Sequence, residues 1–378
     1  MKKPRVIASV LMLIALCTVL MGCYAKVVVL QEAPRDTAPA AAPAEEAKAP
    51  AAVAKAPVSE EKAPAATQPE NKESSSSVKT GLAISAATTS SKDATAEKAG
   101  VGQSDISIAA VMVDGSGRIV DCVIDAVQSK VSFGADGSLL SDAGADVLSK
   151  NELGDRYGMR KASKIGAEWN EQAAAFAEYV VGLTADEVEG LKVSAASERN
   201  GVDLASSVTL YYGGFADIVA AAARNAEEKG AKAGDRLVLS TVGSIAKSKA
   251  AADGKNGNAQ TDVTVAAVTL DGDRITSIVI DAVQPKVTFD QSGRIQGELS
   301  ARVQTKKELK EGYGMSRVSS IKADWYQQAA AYEAYVTGKT LSEAMGISVS
   351  DAGKPSGADL ASSVTMSIGD FTGILGKI

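Results

Sequence analysis

The chain repeats itself, and the repeat limits what it can fold into. VMVDGSGRIVDCVIDAVQSKVSF at 111–133 matches VTLDGDRITSIVIDAVQPKVTF at 268–289. NELGDRYGMRKASKIGAEWNEQAAAFAEYVVGLT at 151–184 matches KELKEGYGMSRVSSIKADWYQQAAAYEAYVTGKT at 307–340. From Ile119 onward the offset is a constant 156 residues, and DLASSVT recurs unchanged at 203–209 and 359–365 in the same register. A period this long means a duplicated domain rather than a solenoid. Two tandem domains are expected, at 81–235 and 236–378.

Each copy reads the same way. Two β-rich stretches flank a turn, Asp114-Gly115-Ser116-Gly117 or Asp271-Gly272-Asp273, which is a hairpin signal. A short strand, KVSF or KVTF, follows. Apolar residues then fall at helical spacing at Ile165, Trp169, Ala173, Phe176 and Val180, and again at Ile321, Trp325, Ala329, Tyr332 and Val336. Thr184–Glu187 and Thr340–Glu343 fit capping boxes that open short helices. A last helical stripe runs Leu204, Val208, Tyr211, Phe215, Val219, echoed by Leu360, Val364, Ile368, Phe371, Leu375. The expected class is α+β: two duplicated domains, each an antiparallel sheet with packed helices, after a disordered tether.

Residues 1–22 read as an export signal, with a basic start (Lys2, Lys3, Arg5) before an apolar run from Val6 to Met21. That run is short for a stable membrane span. It ends in Leu20-Met21-Gly22-Cys23, which resembles the lipobox of bacterial lipoproteins and implies cleavage before Cys23 and lipidation of its thiol. The expected location is the extracytoplasmic face of the cell membrane, held by the lipid. Residues 23–80 are rich in Ala, Pro, Glu, Lys and Ser and lack the apolar surface to offset ordering entropy. Such a tether spans roughly 40 Å as a coil and up to about 170 Å as polyproline II.

Composition removes several chemistries. The chain has no histidine, which excludes Ser-His-Asp and Cys-His nucleophile systems and imidazole metal sites. A net charge of −6 leaves no basic surface for bulk phosphate, so nucleic acid is not an expected partner. Of three cysteines, Cys17 leaves with the signal and Cys23 takes lipid, so only Cys122 remains and no intrachain disulfide can form. Cys122 lies in the apolar run CVIDAV, where the second copy has Ile278, and reads as a small core residue. No catalytic or metal-ligating set is expected, and Glu152, Asp155, Glu308 and Glu311 read as solvated. Arg160-Lys161 and Lys306-Lys307 read as ordinary surface.

The heptapeptide carries the remaining signal. Asp203 and Asp359 precede apolar residues that begin a helical pattern, where Asp is a good N-cap. Ser-Ser-Val-Thr then falls in the first turns, where free N–H groups favour an anion such as phosphate. D-x-x-S-x-x-T before a helix resembles the DAVSGAT-type motif of the FMN-binding domain. That domain occurs in the C subunit of sodium-pumping NADH:quinone reductase and in flavinylated surface lipoproteins. In that family the final threonine carries FMN through a phosphoester added by a dedicated transferase. The resemblance implies that Thr209 and Thr365 are attachment points, with Asp203, Ser206, Asp359 and Ser362 completing the motif.

A second stretch agrees in order. The family's ETPGLG segment, with its following Trp and Gln, is similar to Glu152-Leu153, Tyr157-Gly158-Met159, Trp169 and Gln172 in the first copy. In the second copy it is similar to Glu308-Leu309, Tyr313-Gly314-Met315, Trp325 and Gln328. The chain departs from the family at Ser207-Val208 and Ser363-Val364, where the family has Gly-Ala, and it lacks the Thr-Pro-Gly.

Trp169 and Trp325 read as core anchors. Each Tyr-Gly-Met reads equally as a tight turn with a buried Met or as a ring beside a planar ligand. The leading expectation is a lipid-anchored protein with two FMN-binding-like domains. FMN would be held covalently through Thr or noncovalently and would relay electrons from a membrane redox donor, after loading by a flavin transferase. The alternative is a non-redox surface lipoprotein that binds a small ligand, a wall polymer or a partner protein.

Overall fold

The structure, a computed structural model, describes residues 77–191 and 199–378. The export signal, Cys23 and the tether up to residue 76 lie outside the described residues. The two copies do not form separate bodies: the described residues fall in one compact unit.

Copy 1 opens with three antiparallel strands, β1 (Lys79–Ala87), β2 (Gly100–Val113) and β3 (Ile119–Phe133), in the order β1-β2-β3. Short α1 (Lys150–Leu153), α2 (Trp169–Val180), α3 (Ala185–Gly190), α4 (Leu204–Ser207) and α5 (Gly213–Arg224) follow. Copy 2 repeats this with β4 (Arg236–Ser244), β5 (Gly257–Gln260), β6 (Asp262–Asp271), β7 (Arg274–Val283), β8 (Lys286–Phe289) and β9 (Ile295–Gln296). Its helices are α6 (Lys306–Leu309), α7 (Trp325–Val336), α8 (Leu341–Met345), α9 (Ala358–Ala361) and α10 (Gly369–Leu375). The α+β class is as expected.

The two Asp-Gly turns join β2 to β3 and β6 to β7, and Gly117 and Gly272 take the positive φ (82° and 62°) that these turns need. KVSF is not a separate strand in copy 1 but the end of β3; only in copy 2 does KVTF stand alone as β8. The reason is one residue. Pro285 stands where copy 1 has Ser129, and without an N–H it interrupts the ladder that β3 continues through.

The expected capping boxes are present at Thr184/Glu187 and Thr340/Glu343, and four more occur at Ser149/Glu152, Thr305/Glu308, Glu168/Glu171 and Asp324/Gln327. α2 and α7 begin at Trp169 and Trp325, four residues later than the apolar spacing suggested, because Glu168 and Asp324 cap them there. Ile165 is consequently left in the preceding turn and exposed.

Beside a small β5-β8-β9 sheet, the β1-β2-β3 and β4-β6-β7 sheets each bury two faces. The outer face of β1–β3 packs on α2 and α5 through Ile119, Ile124, Phe176, Phe215 and Val219, and Cys122 belongs to this core. The β4-β6-β7 sheet packs likewise on α7 and α10 through Ile275, Ile280, Tyr332 and Ile374. The inner faces meet each other through Leu82, Ile106, Ile108, Met112, Leu237, Val263 and Val265. The layer order is therefore helix, sheet, sheet, helix.

The copies are related by an internal two-fold axis. Phe133 and Phe289, equivalent in the duplication, stack on each other with centroids 4.0 Å apart and planes 3° from parallel. A residue that meets its own duplicate lies on such an axis. Off the axis, contacts come in matched pairs. Ala86 bridges Val303 as Gly243 bridges Val147, and Ala94 N–H bonds Gly293 O as Ala251 N–H bonds Gly137 O, each at 2.8 Å.

Candidate functional site

Two glutamines organise the region around the heptapeptides. A buried amide needs partners for its oxygen and both its hydrogens. Gln172 of α2 and Gln328 of α7 are fully buried and find them locally. Gln172 Oε1 accepts from the backbone N–H of Thr209 (2.8 Å) and Leu210 (3.2 Å) and from Thr209 Oγ1 (3.2 Å). Its Nε2 donates to Ser163 Oγ and Ala167 O, both at 3.2 Å. Gln328 repeats the set with Thr365 N–H (2.8 Å), Met366 N–H (3.2 Å) and Thr365 Oγ1 (3.3 Å). It donates to Ser319 Oγ (3.2 Å), Ala323 O (2.9 Å) and Met315 Sδ (3.5 Å).

These bonds place each threonine differently from the sequence expectation. The stripe from Leu204 to Val219 is two helices, not one. α4 ends at Ser207, Val208 is extended (φ −134°), and α5 restarts at Gly213, leaving Tyr211 86% exposed. Thr209 sits in the connector, not in a first turn. The backbone N–H groups of Ser206 to Thr209 are not free; that of Ser206 bonds Asp203 O. Those of Ser207 and Val208 bond Asp203 O and Leu204 O, and that of Thr209 goes to Gln172.

Asp203 caps α4 by accepting from Ala205 N–H at 3.1 Å, and Ser206 Oγ donates to its carboxylate at 2.9 Å. Asp359 does not cap. α9 starts two residues earlier, with Gly357 at the N-cap, so Asp359 lies in the first turn and Ser362 Oγ donates only to its backbone oxygen. Leu204, Val208, Leu360 and Val364 are buried in the two cores. Val208 and Val364 therefore point inward, into the cores.

Each Tyr-Gly-Met is a tight turn. Tyr157 and Tyr313 end 3-10 turns, and Gly158 and Gly314 are left-handed (φ 80° and 77°). Met159 and Met315 are half-buried against the cores, and Glu168 and Asp324 anchor the next N–H groups. A lysine covers one face of each tyrosine. Lys150 Nζ lies 4.6 Å from the Tyr157 centroid and 4.8 Å from that of Trp169; Lys306 lies 5.1 Å from Tyr313 and 5.0 Å from Trp325. Trp169 and Trp325 are buried and meet Phe215 and Phe371 edge-on, as core anchors do.

Lys306-Lys307 is not ordinary surface. Burial, with Lys247 nearby, pulls the Lys306 amine down to about 8. Lys307 pairs with the buried Glu333 at 2.8 Å. Glu152, expected to be solvated, is half-buried and takes Lys377 at 2.6 Å.

The structure thus brings the turn, the glutamine and the threonine together in both copies. In copy 2 the chain of contacts runs from Met315 Sδ through Gln328 to Thr365, whose Oγ1 is also 3.3 Å from Ser319 Oγ. Thr209 is exposed and its hydroxyl makes one long hydrogen bond, whereas Thr365 is half-buried with two neighbours. The turn that supplies Ser163 also carries exposed Lys161 and Lys164, and its twin carries exposed Arg317 and Lys322. Sequence reading did not anticipate Lys150 and Lys306. Their signal was Ser149-x-x-Glu152 and Thr305-x-x-Glu308, which fix each lysine at a first helical position. Among the described residues no group of three or more Cys, Asp and Glu could hold a metal ion. No family model, curated protein or solved structure matches this chain.

Proposed function

We propose that the chain is a lipid-anchored extracytoplasmic protein that carries FMN on Thr209, with Thr365 as a second and less accessible attachment point. It would relay electrons between a membrane donor and external acceptors. One observation supports this most. Across two copies that differ at many positions, the same buried glutamine holds the same threonine at the same distances, beside the same Tyr-Gly-Met turn.

The donor set fits the group. A phosphoester needs an alcohol oxygen reachable by a transferase, and Thr209 supplies one on the surface. Lys161 and Lys164 on the adjoining turn favour a phosphate there by simple charge. When bound, FMN supplies the redox chemistry. The chain supplies the attachment oxygen, fixes it through Gln172, and keeps the backbone around it ordered. The anchor rests on Cys23 and the preceding lipobox-like residues.

Intact mass of the protein purified from its native host and denatured, with a visible spectrum beside it, tests the reading. A mass gain of one or two FMN units is expected. A second reading, a colourless binding module, is favoured by the N–H groups of Ser206–Thr209 and Ser362–Thr365, which are spent inside the protein and are not offered to a phosphate. An unmodified mass with no flavin colour would select it.

A further inference from the structure

The internal two-fold axis makes each half a control for the other, and in one place they differ by a missing side chain. Lys377, just beyond α10, reaches across to copy 1: its Nζ is 2.6 Å from Glu152 Oε1 and donates to Thr241 O at 2.7 Å. The duplication register puts Ala221 where Lys377 is, Glu308 where Glu152 is, and Ile84 where Thr241 is. With no lysine there, a cavity of about 410 Å³ opens between β1, α5 and the α6 cap. Ile84, Asp217, Ala221, Asp281, Arg302 and Glu308 are among the residues that line it.

The groups that hold Lys377 have counterparts in this cavity. Thr80 uses both its N–H and its C=O outward, to Glu227. Alternation along an antiparallel pair then turns the Ile84 carbonyl to the same outer edge, as Thr241 presents its own to Lys377. Glu308 Oε2 holds the cap through Thr305 N–H at 2.9 Å, and Oε1 meets Arg302, an exposed side chain. Asp281 and Glu308 outnumber Arg302 in the walls, which favours a cation. The volume lies within the usual range for small-molecule pockets, about 300–1,000 Å³.

We propose that this cavity binds a primary ammonium on an unbranched alkyl chain, a diamine or a lysine-like side chain. The ammonium would sit between Ile84 O and the Glu308 carboxylate, displacing the exposed Arg302 from Oε1, as Lys377 Nζ sits between Thr241 O and Glu152. The alkyl chain would lie along Leu82, Ile218 and Val303, the apolar part of the wall. The site is independent of any flavin.

The test is calorimetric titration of the full-length protein in detergent micelles at low salt, with 1,5-diaminopentane and, separately, Nα-acetyl-lysine amide. Pentan-1-ol is the neutral control. Saturable binding of an amine and none of the alcohol is expected. Binding of the diamine alone identifies a free diamine; binding of the lysine amide alone identifies a lysine within a polymer. Ala221→Lys rebuilds the Lys377 arrangement inside the cavity and should weaken binding by more than about tenfold, with Glu308→Gln doing the same. Gln still serves the capping box, so Glu308→Gln decides the matter if Ala221→Lys does not fold. No saturable heat with either amine, or unchanged affinity in a folded variant, would overturn the proposal.

Discussion

Three side chains turn the account into measurements at the residue scale. Burial raises the Asp125 carboxyl to about 6, although its Oδ1 accepts from Ala126 and Asn151 N–H. The folded state therefore holds this proton more tightly than the unfolded chain does. The contribution to stability is full below about pH 4 and is lost as pH rises through about 6, an effect on the order of 2–3 kcal/mol. Asp125→Asn should remove that slope, read as the difference between wild-type and variant urea midpoints from pH 4 to 7; parallel curves would contradict it. Lys306 should react with an amine reagent with a midpoint near pH 8, followed by peptide mass spectrometry. A midpoint near the ordinary lysine value, about 10.4, would mean the amine is solvated. Among the described residues the buried Tyr332 hydroxyl finds no hydrogen-bond partner, where copy 1 has Phe176. Tyr332→Phe should raise stability by about 1 kcal/mol in chemical denaturation, and a loss of that size would reveal a hidden partner.

At the element scale, what the sequence disclosed and what it hid have separate physical causes. The hairpin turns and the α3 and α8 caps were legible because each depends on a few adjacent residues. The break between α4 and α5 was not. Leu204, Val208 and Phe215 keep a helical spacing although the helix stops, because a buried glutamine 37 residues earlier captures the backbone of Thr209. The strands β1 and β4 went unread for another reason. KTGLAISAA lies between a helix layer and the partner sheet, so it shows small residues rather than an apolar–polar alternation. Gln172 and Gln328 were legible only as points of family resemblance; their role as clamps needed the fold. Gln172→Leu leaves the Thr209 and Leu210 N–H groups without their acceptor and should cost about 2–4 kcal/mol in thermal or urea unfolding. A neutral effect would show that the connector finds another acceptor.

At the scale of the whole molecule, the duplication was plain in the sequence, but its consequence was not. Two tandem domains were expected, and what formed is one unit whose inner sheet faces cover each other, with Phe133 on Phe289 at the axis. A fragment ending at residue 235 would expose Leu82, Ile106, Ile108 and Met112 together, a larger apolar face than soluble monomers tolerate. Such a fragment should unfold or pair through that face in sedimentation and circular dichroism; a folded monomer would contradict the shared core. The same axis explains why one feature can appear twice with different reach. Thr209 is exposed and Thr365 is half-buried, so flavin loading should favour the first.

The most direct measurement is flavin per chain, by absorbance after denaturation, in protein from the native host carrying Thr209→Ala, Thr365→Ala or both. If the protein carries FMN as proposed, Thr209→Ala should remove the larger share, Thr365→Ala the smaller, and the double variant all of the bound flavin. Undiminished flavin in the double variant, or no flavin in the wild type, would contradict it.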